Sequence, residues 1–249
     1  AGASPETFEP TPRQFVELNE AQLIFNVGLI DFETSLLGKV EQQEKVIDLS
    51  HGIDLIEGSC SHNNHGHNHA HGVDPHVWTS PKNAMRIVQK LCDALCRLDP
   101  ETADDYQANT ASYLASLTSL DEEFSDVTAT ASRHTIVFGD RFPFRYLVDD
   151  YGLRYYAAFA GCSAETEASF ETVSFLAKKV DELGLPCVLT IEGAQHRIAE
   201  TIVQNTAGKN QKVLTMDSMQ STTSKDVANG ATYLSVMEKN LSVLKEALG

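Results

Sequence analysis

Five histidines, His62, His65, His67, His69 and His71, fall within ten residues and are interleaved with Asn, Gly and Ala. Neutral imidazole is a good ligand for zinc, copper and nickel, and its ordinary pKa near 6.5 leaves it mostly unprotonated at pH 7. Gly and Asn let a backbone fold several such rings around one ion. The bland alternatives are a solvated polar loop or an engineered tag, and a tag would hardly lie mid-chain between structured segments. A floppy site of this kind suits capture or sensing, because catalysis demands a rigid set of ligands.

Directly after this stretch comes Asp74-Pro75-His76-Val77-Trp78. Pro75 holds its predecessor in an extended geometry, so His76 stands on a stiff segment and reads as a metal ligand, although a lone His is more often structural. In the second half, acids recur at the expected carboxyl ends of strands: Asp140 after HTIVFG, Glu192 closing PCVLTIE, and Asp217 closing KVLTMD. Ligand crevices of open parallel sheets lie outside those ends. Three acids converging there would offer oxygen ligands to a cation, whereas any one of them would serve equally well as a cap for the following helix. One imidazole with several carboxylates is a mixed N/O set that zinc accepts tetrahedrally and manganese also tolerates; the histidine loop favours zinc.

The elements that must position these residues follow from periodicity. TPRQFVELNE (11–20) reads as a short helix with Pro in its first turn, 21–28 and 45–50 as short strands, and about 51–75 as a mobile loop. Ser80-Pro81 opens a helix to about residue 97, with apolar residues on one face at 84, 87, 88, 91, 94 and 95. A second helix is expected over 101–127; some 25 residues span about 40 Å, enough to cross between two lobes. Beyond residue 133, strands at 134–139, 154–159, 186–192 and 212–217 alternate with helices at about 143–150, 166–183, 194–207 and 227–248. The fold class expected is therefore α/β, with two lobes of parallel sheet flanked by helices and joined by a long linking helix. We place the N-terminal lobe at 1–100 with its His-rich loop at 61–72, the link at 101–130 and the C-terminal lobe at 131–249.

The composition agrees with a globular metal-binding protein: 42% of the 249 residues are apolar, and 35 acids against 19 bases give a net charge of −16. Such a field attracts cations and repels nucleic acid, although acidity also serves simple solubility. No apolar run approaches the ~20 residues of a membrane span. Five cysteines cannot all pair within the chain, no CxxC occurs, and Cys92 and Cys96 read as small helix residues facing a core. The chain lacks an initiator Met and a charged-then-apolar leader, as expected if a targeting segment has been removed.

Taken together, these motifs resemble the zinc/manganese-type (cluster A-I) substrate-binding proteins of bacterial ABC importers, over essentially the whole chain. Gly2 through Pro10 (GASPETFEP) is similar to that family's first ligand motif, with Glu6 where His normally stands. Asp74 through Pro81 (DPHVWTSP) matches the second ligand motif closely and carries His76 over as a ligand. Asp99-Pro100-Glu101 with Tyr106 through Asn109 resembles the linking segment, Leu214 through Met219 (LTMDSM) the last motif with ligand Asp217, and Gly230 through Leu234 the approach to the C-terminal helix. Two departures stand out. Family members open with a strand and helix before the first motif, so the first lobe is expected to be cut or incomplete. Strict spacing puts Arg141 at the third ligand position, where a guanidinium cannot bind metal; a one-residue shift offers Asp140, the preferred choice on chemical grounds.

The resemblance implies a metal ligated by His76, Asp217, Glu6 and Asp140, with Glu9, Arg141 and Glu192 around them. Arg141 is then free to pair with Glu6 or Glu192. It implies Zn2+ (alternatively Mn2+) as cargo, delivery to the membrane permease of an ABC importer, a monomer, no nucleic-acid partner, and a location outside the cytoplasm, in a periplasm or on a lipid anchor. It implies no enzymatic activity. A zinc hydrolase, with Glu192 or Glu9 as general base, is the rival from another class, but the chain has no HExxH and no nucleophile elbow. A surface adhesin is a second rival.

Overall fold

The computed structural model describes residues 11–29, 33, 36–57, 72–161, 167–193 and 196–249. Helix α1 (Pro12–Glu20) begins in a capping box: the Thr11 hydroxyl accepts from the Gln14 N–H, and the Gln14 side chain accepts from the Thr11 N–H at 2.8 Å. Strands β1 (Ile24–Asn26) and β2 (Val46–Asp48) pair in parallel. Both are shorter than expected. β1 stops because Gly28 turns the chain at φ +73°, tight against Asp48.

Ser80 caps helix α2 (Pro81–Leu98) by accepting from the Asn83 N–H at 3.0 Å, and Pro81 occupies the first helical position. Cys92 is buried on this helix and Cys96 half-buried. After a 3-10 turn at Pro100–Thr102 comes α3 (Ala103–Thr130), whose 28 residues run about 42 Å at 1.5 Å per residue. It packs along α2, where the Thr118 hydroxyl meets Met85 Sδ at 3.6 Å. Through its second half it buries Leu117, Leu120, Phe124 and Thr128, three or four residues apart on one face.

The second half is built on a parallel sheet in the order β4-β3-β5-β6. Its strands are β3 (Thr135–Phe142), β4 (Arg154–Ala160), β5 (Cys187–Ile191) and β6 (Lys212–Met216). The helices α4 (Arg145–Asp150), α5 (Phe170–Glu182), α6 (Arg197–Asn205), α7 (Ser224–Ala228) and α8 (Tyr233–Leu248) complete it. Alternate side chains of each central strand enter different cores. Val137 and Val188 join Val173, Leu176, Val180 and Ile202 of α5 and α6. Ile136, Phe138 and Leu189 instead join Phe124 of α3 and Met237, Leu241 and Leu244 of α8.

The single helix expected over 227–248 is two. Gly230, at φ +93°, ends the first, and Thr232 caps the second by accepting from the Ser235 N–H at 3.1 Å. β3 also runs three residues past its expected end, through a register irregularity between Phe138 and Arg141. From β3 the chain proceeds first to β4 on one side, then returns to β5 and β6 on the other, so the topological switch point lies between β3 and β5. Among the described residues, no helix is long and apolar enough to cross a membrane.

Candidate metal centre

His76 is held by its own motif. Asp74 Oδ1 accepts both the His76 backbone N–H at 2.9 Å and the ring Nδ1–H at 2.7 Å. A carboxylate can only accept, so Nδ1 carries a proton and Nε2 is the ring nitrogen left to meet a metal. That is how protein-bound metals orient their histidines. Pro75 stiffens the two-residue reach between the partners, and the Thr79 hydroxyl ties down the His76 carbonyl at 2.9 Å. Both Asp74 and His76 are buried, at 6% and 1% exposure, so solvent cannot compete for their bond. Trp78 stands edge-on to the imidazole at 5.5 Å. Gly161 backs it so closely that a Cβ there would lie 3.2 Å from His76 Cε1 and 2.8 Å from the Phe142 carbonyl.

Contacts from the second half continue this frame. The Tyr146 hydroxyl donates to the Asp74 carbonyl at 2.8 Å and accepts the Ile56 N–H at 3.2 Å. The Trp78 indole N–H donates to the Ser218 carbonyl at 3.0 Å, and the Tyr233 hydroxyl to the Trp78 carbonyl at 2.9 Å. Ser80 donates to the Asp150 carboxylate and Lys82 to the Asp150 carbonyl. Trp78, two residues after His76, and Ser218, the residue after Asp217, thus share one hydrogen-bonded frame.

Asp217 follows β6. Asn240 on α8 grips its backbone from both sides, accepting the Asp217 N–H and donating to its carbonyl, each at 2.8 Å. Its Oδ1 accepts the Met219 N–H at 2.7 Å. Burial pushes the Asp217 carboxyl above its usual range and the nearby Glu192 charge adds to this, while the Met219 N–H acts the other way. Glu192 is committed to the turn after Asp217. Its oxygens accept the Ser218 N–H at 2.7 Å, the Ser218 hydroxyl at 2.8 Å, the Gln220 N–H at 3.1 Å and the Ser221 hydroxyl at 3.3 Å. Among the described residues it forms no ion pair with Arg141, the partner expected from sequence.

Asp140, on β3, accepts the Arg141 N–H on Oδ1 at 2.8 Å and the Thr190 hydroxyl on Oδ2 at 2.7 Å. His196, which sequence reasoning passed over, meets the same hydroxyl through Nδ1 at 3.2 Å. The only sequence signal for it was a histidine four residues past the end of PCVLTIE. Among the described residues no group of three or more His, Cys, Asp or Glu side chains is gathered around one point. Glu6, Glu9 and the five loop histidines lie outside the described residues, and so does any pairing of Arg141 with Glu6. For a divalent cation the donors suit: an imidazole with a fixed Nε2, and a carboxylate held half-buried in an acidic protein.

The model of the family described as zinc-uptake complex component A, periplasmic (ZnuA), matches residues 1–247. The chain belongs to this family. The zinc-binding lipoprotein AdcA of Streptococcus pneumoniae is 29% identical over 255 residues, covering 99% of this chain and 50% of that protein. The high-affinity zinc uptake system protein ZnuA of Bacillus subtilis is 27% identical, covering 100% of this chain and 78% of that one. The chain thus spans about half the length of the AdcA relatives it matches. Among solved structures, the Zn(II)-bound ZnuA-like domain of S. pneumoniae AdcA superposes with a TM-score of 0.79 at 27% identity, over 100% of this chain and 88% of that one. The metal-dependent lipoprotein YcdH of B. subtilis gives a TM-score of 0.81 at 25% identity, covering 99% and 87%.

Proposed function

We propose that this chain is an extracytoplasmic zinc-binding protein, not an enzyme, that delivers its ion as a monomer to the membrane permease of an ABC importer. The observation that carries this reading is the buried Asp74–His76 pair, which fixes the ring on the rigid DPHVW segment with Nε2 as the nitrogen left for a metal. Its membership of the zinc-uptake family and its likeness to a Zn(II)-bound domain support the choice of metal. His76 supplies nitrogen from the first half and Asp217 oxygen from the second, with Glu6 from the opening motif; the Trp78–Ser218 bond keeps the two halves in register.

The five histidines of 62–71 act apart from this site, as a weaker collector of zinc. Chelator competition on purified protein, with zinc and manganese side by side, tests the proposal. We expect one tight site preferring zinc, removed in His76→Ala. Tight manganese binding would reassign the cargo, and unchanged zinc affinity in His76→Ala would remove the reading.

A further inference from the structure

Strands β5 and β6 end side by side, with Ile191 opposite Met216, so the acids that follow them, Glu192 and Asp217, leave the sheet at the same level. Two carboxylates brought this close repel each other unless one is satisfied elsewhere. Glu192 is satisfied by the very turn that Asp217 opens, through the N–H groups of Ser218 and Gln220 and the hydroxyls of Ser218 and Ser221. Between those two N–H groups stands Met219 at φ +64°, a left-handed conformation that a side chain disfavours. The bonds to Glu192 on either side hold it there.

The consequence falls on Asp217. The left-handed Met219 turns its N–H back onto Asp217 Oδ1 at 2.7 Å, while Asn240 pins the Asp217 backbone. Among the described residues, Asp217 Oδ2 accepts no hydrogen bond. A cation seated across both oxygens would compete with the Met219 N–H; one seated on Oδ2 alone would not. A single carboxylate oxygen suits the four-coordinate tetrahedron of zinc, whereas manganese, which favours an octahedral oxygen set, gains from the second. We propose that Glu192 is a positioning residue that gives the centre its preference for zinc over manganese, by holding the 217–221 turn so that Asp217 offers Oδ2 alone. The inference rests on the zinc-binding reading above, with Asp217 as a ligand, and deepens it.

The test measures zinc and manganese affinities of the whole chain by chelator competition, in wild type, Glu192→Gln and Leu176→Ala. Gln keeps the size of Glu but turns an amide group toward donors. In Glu192→Gln, zinc affinity should fall roughly 10- to 100-fold while manganese affinity holds within about threefold, so the preference narrows. Leu176→Ala opens a cavity in the core that α5 and α6 form with the sheet. It should melt earlier and keep the wild-type preference, which separates positioning from mere stability. Ser218→Ala removes one donor to Glu192, serves should Glu192→Gln fail to fold, and should narrow the preference less. An unchanged or wider preference in Glu192→Gln, or in Ser218→Ala standing in for it, would overturn the proposal. So would an equal narrowing in Leu176→Ala, or wild-type zinc affinity in Asp217→Ala. A wild type that holds no zinc tightly, or a His76→Ala variant that binds as before, would instead defeat the function on which it rests.

Discussion

At the scale of single residues, the centre depends on how few freedoms His76 retains. Its ring is fixed by the Asp74 carboxylate on one edge, Trp78 on another and Gly161 behind. Asp74→Asn keeps the size but replaces a charged acceptor with a neutral amide. We expect zinc affinity to fall about 10- to 100-fold in chelator competition, against a loss of several orders of magnitude in His76→Ala. Asp217 yields a prediction in pH. Its folded carboxyl titrates above its ordinary value of 3.8, chiefly through burial. The folded state therefore binds this proton more tightly than the unfolded chain, and stability from this group is lost as pH rises past the ordinary carboxylate range. In Asp217→Asn, the metal-free protein should gain melting temperature relative to wild type between pH 4 and 7. Parallel curves would show that the buried charge costs the fold nothing.

At the scale of elements, close packing of backbone on backbone matters as much as side-chain chemistry. Gly139 lies so near α6 that a Cβ would stand 2.4 Å from Ala199 Cα and 2.7 Å from its amide nitrogen. Neither strand nor helix can yield locally. Gly139→Ala should cost at least the 1–3 kcal/mol of an overpacked core, read as a drop in the denaturant midpoint. The frame joining the halves is gentler. Tyr233→Phe removes the donor to the Trp78 carbonyl and should cost about 1 kcal/mol, with a smaller effect on zinc, because the Trp78–Ser218 bond remains. Loss of zinc binding without loss of stability would show that Tyr233 acts on the site more directly.

At the scale of the whole molecule, we expect the histidine cluster and the centre to be separable. Deleting 61–72 should leave one tight zinc site and abolish weaker binding that fades as pH falls through about 6.5, where imidazole protonates. Calorimetric titration at pH 7.5 and pH 5.5 reads both classes. Disappearance of the tight site would make the cluster part of the centre. Elsewhere the core should be chemically silent: burial pushes the Cys187 thiol up to about 12, so peptide mapping should find it unalkylated at pH 8 until the protein is denatured.

What the sequence by itself determined is local. DPHVW specifies the setting of its own histidine, because the carboxylate that orients the imidazole is two residues away and Pro75 limits the geometry between them. Likewise the caps at Thr11 and Ser80 and the alternation along β3 and β5 are written in neighbouring residues, and the elements appear where those signals stand. Where helix 227–248 divides, the signal was also local, in Gly230 and Thr232, but apolar periodicity on either side masked it. Only the tertiary structure decided the rest. Glu192, read as a candidate near the metal, is committed to Ser218–Ser221, and Asp140 meets His196 through Thr190, a residue 50 positions from it. These bonds exist because the sheet places β5 between β3 and β6, and strand order is set by the packing of whole helices on two faces, which no window of sequence contains.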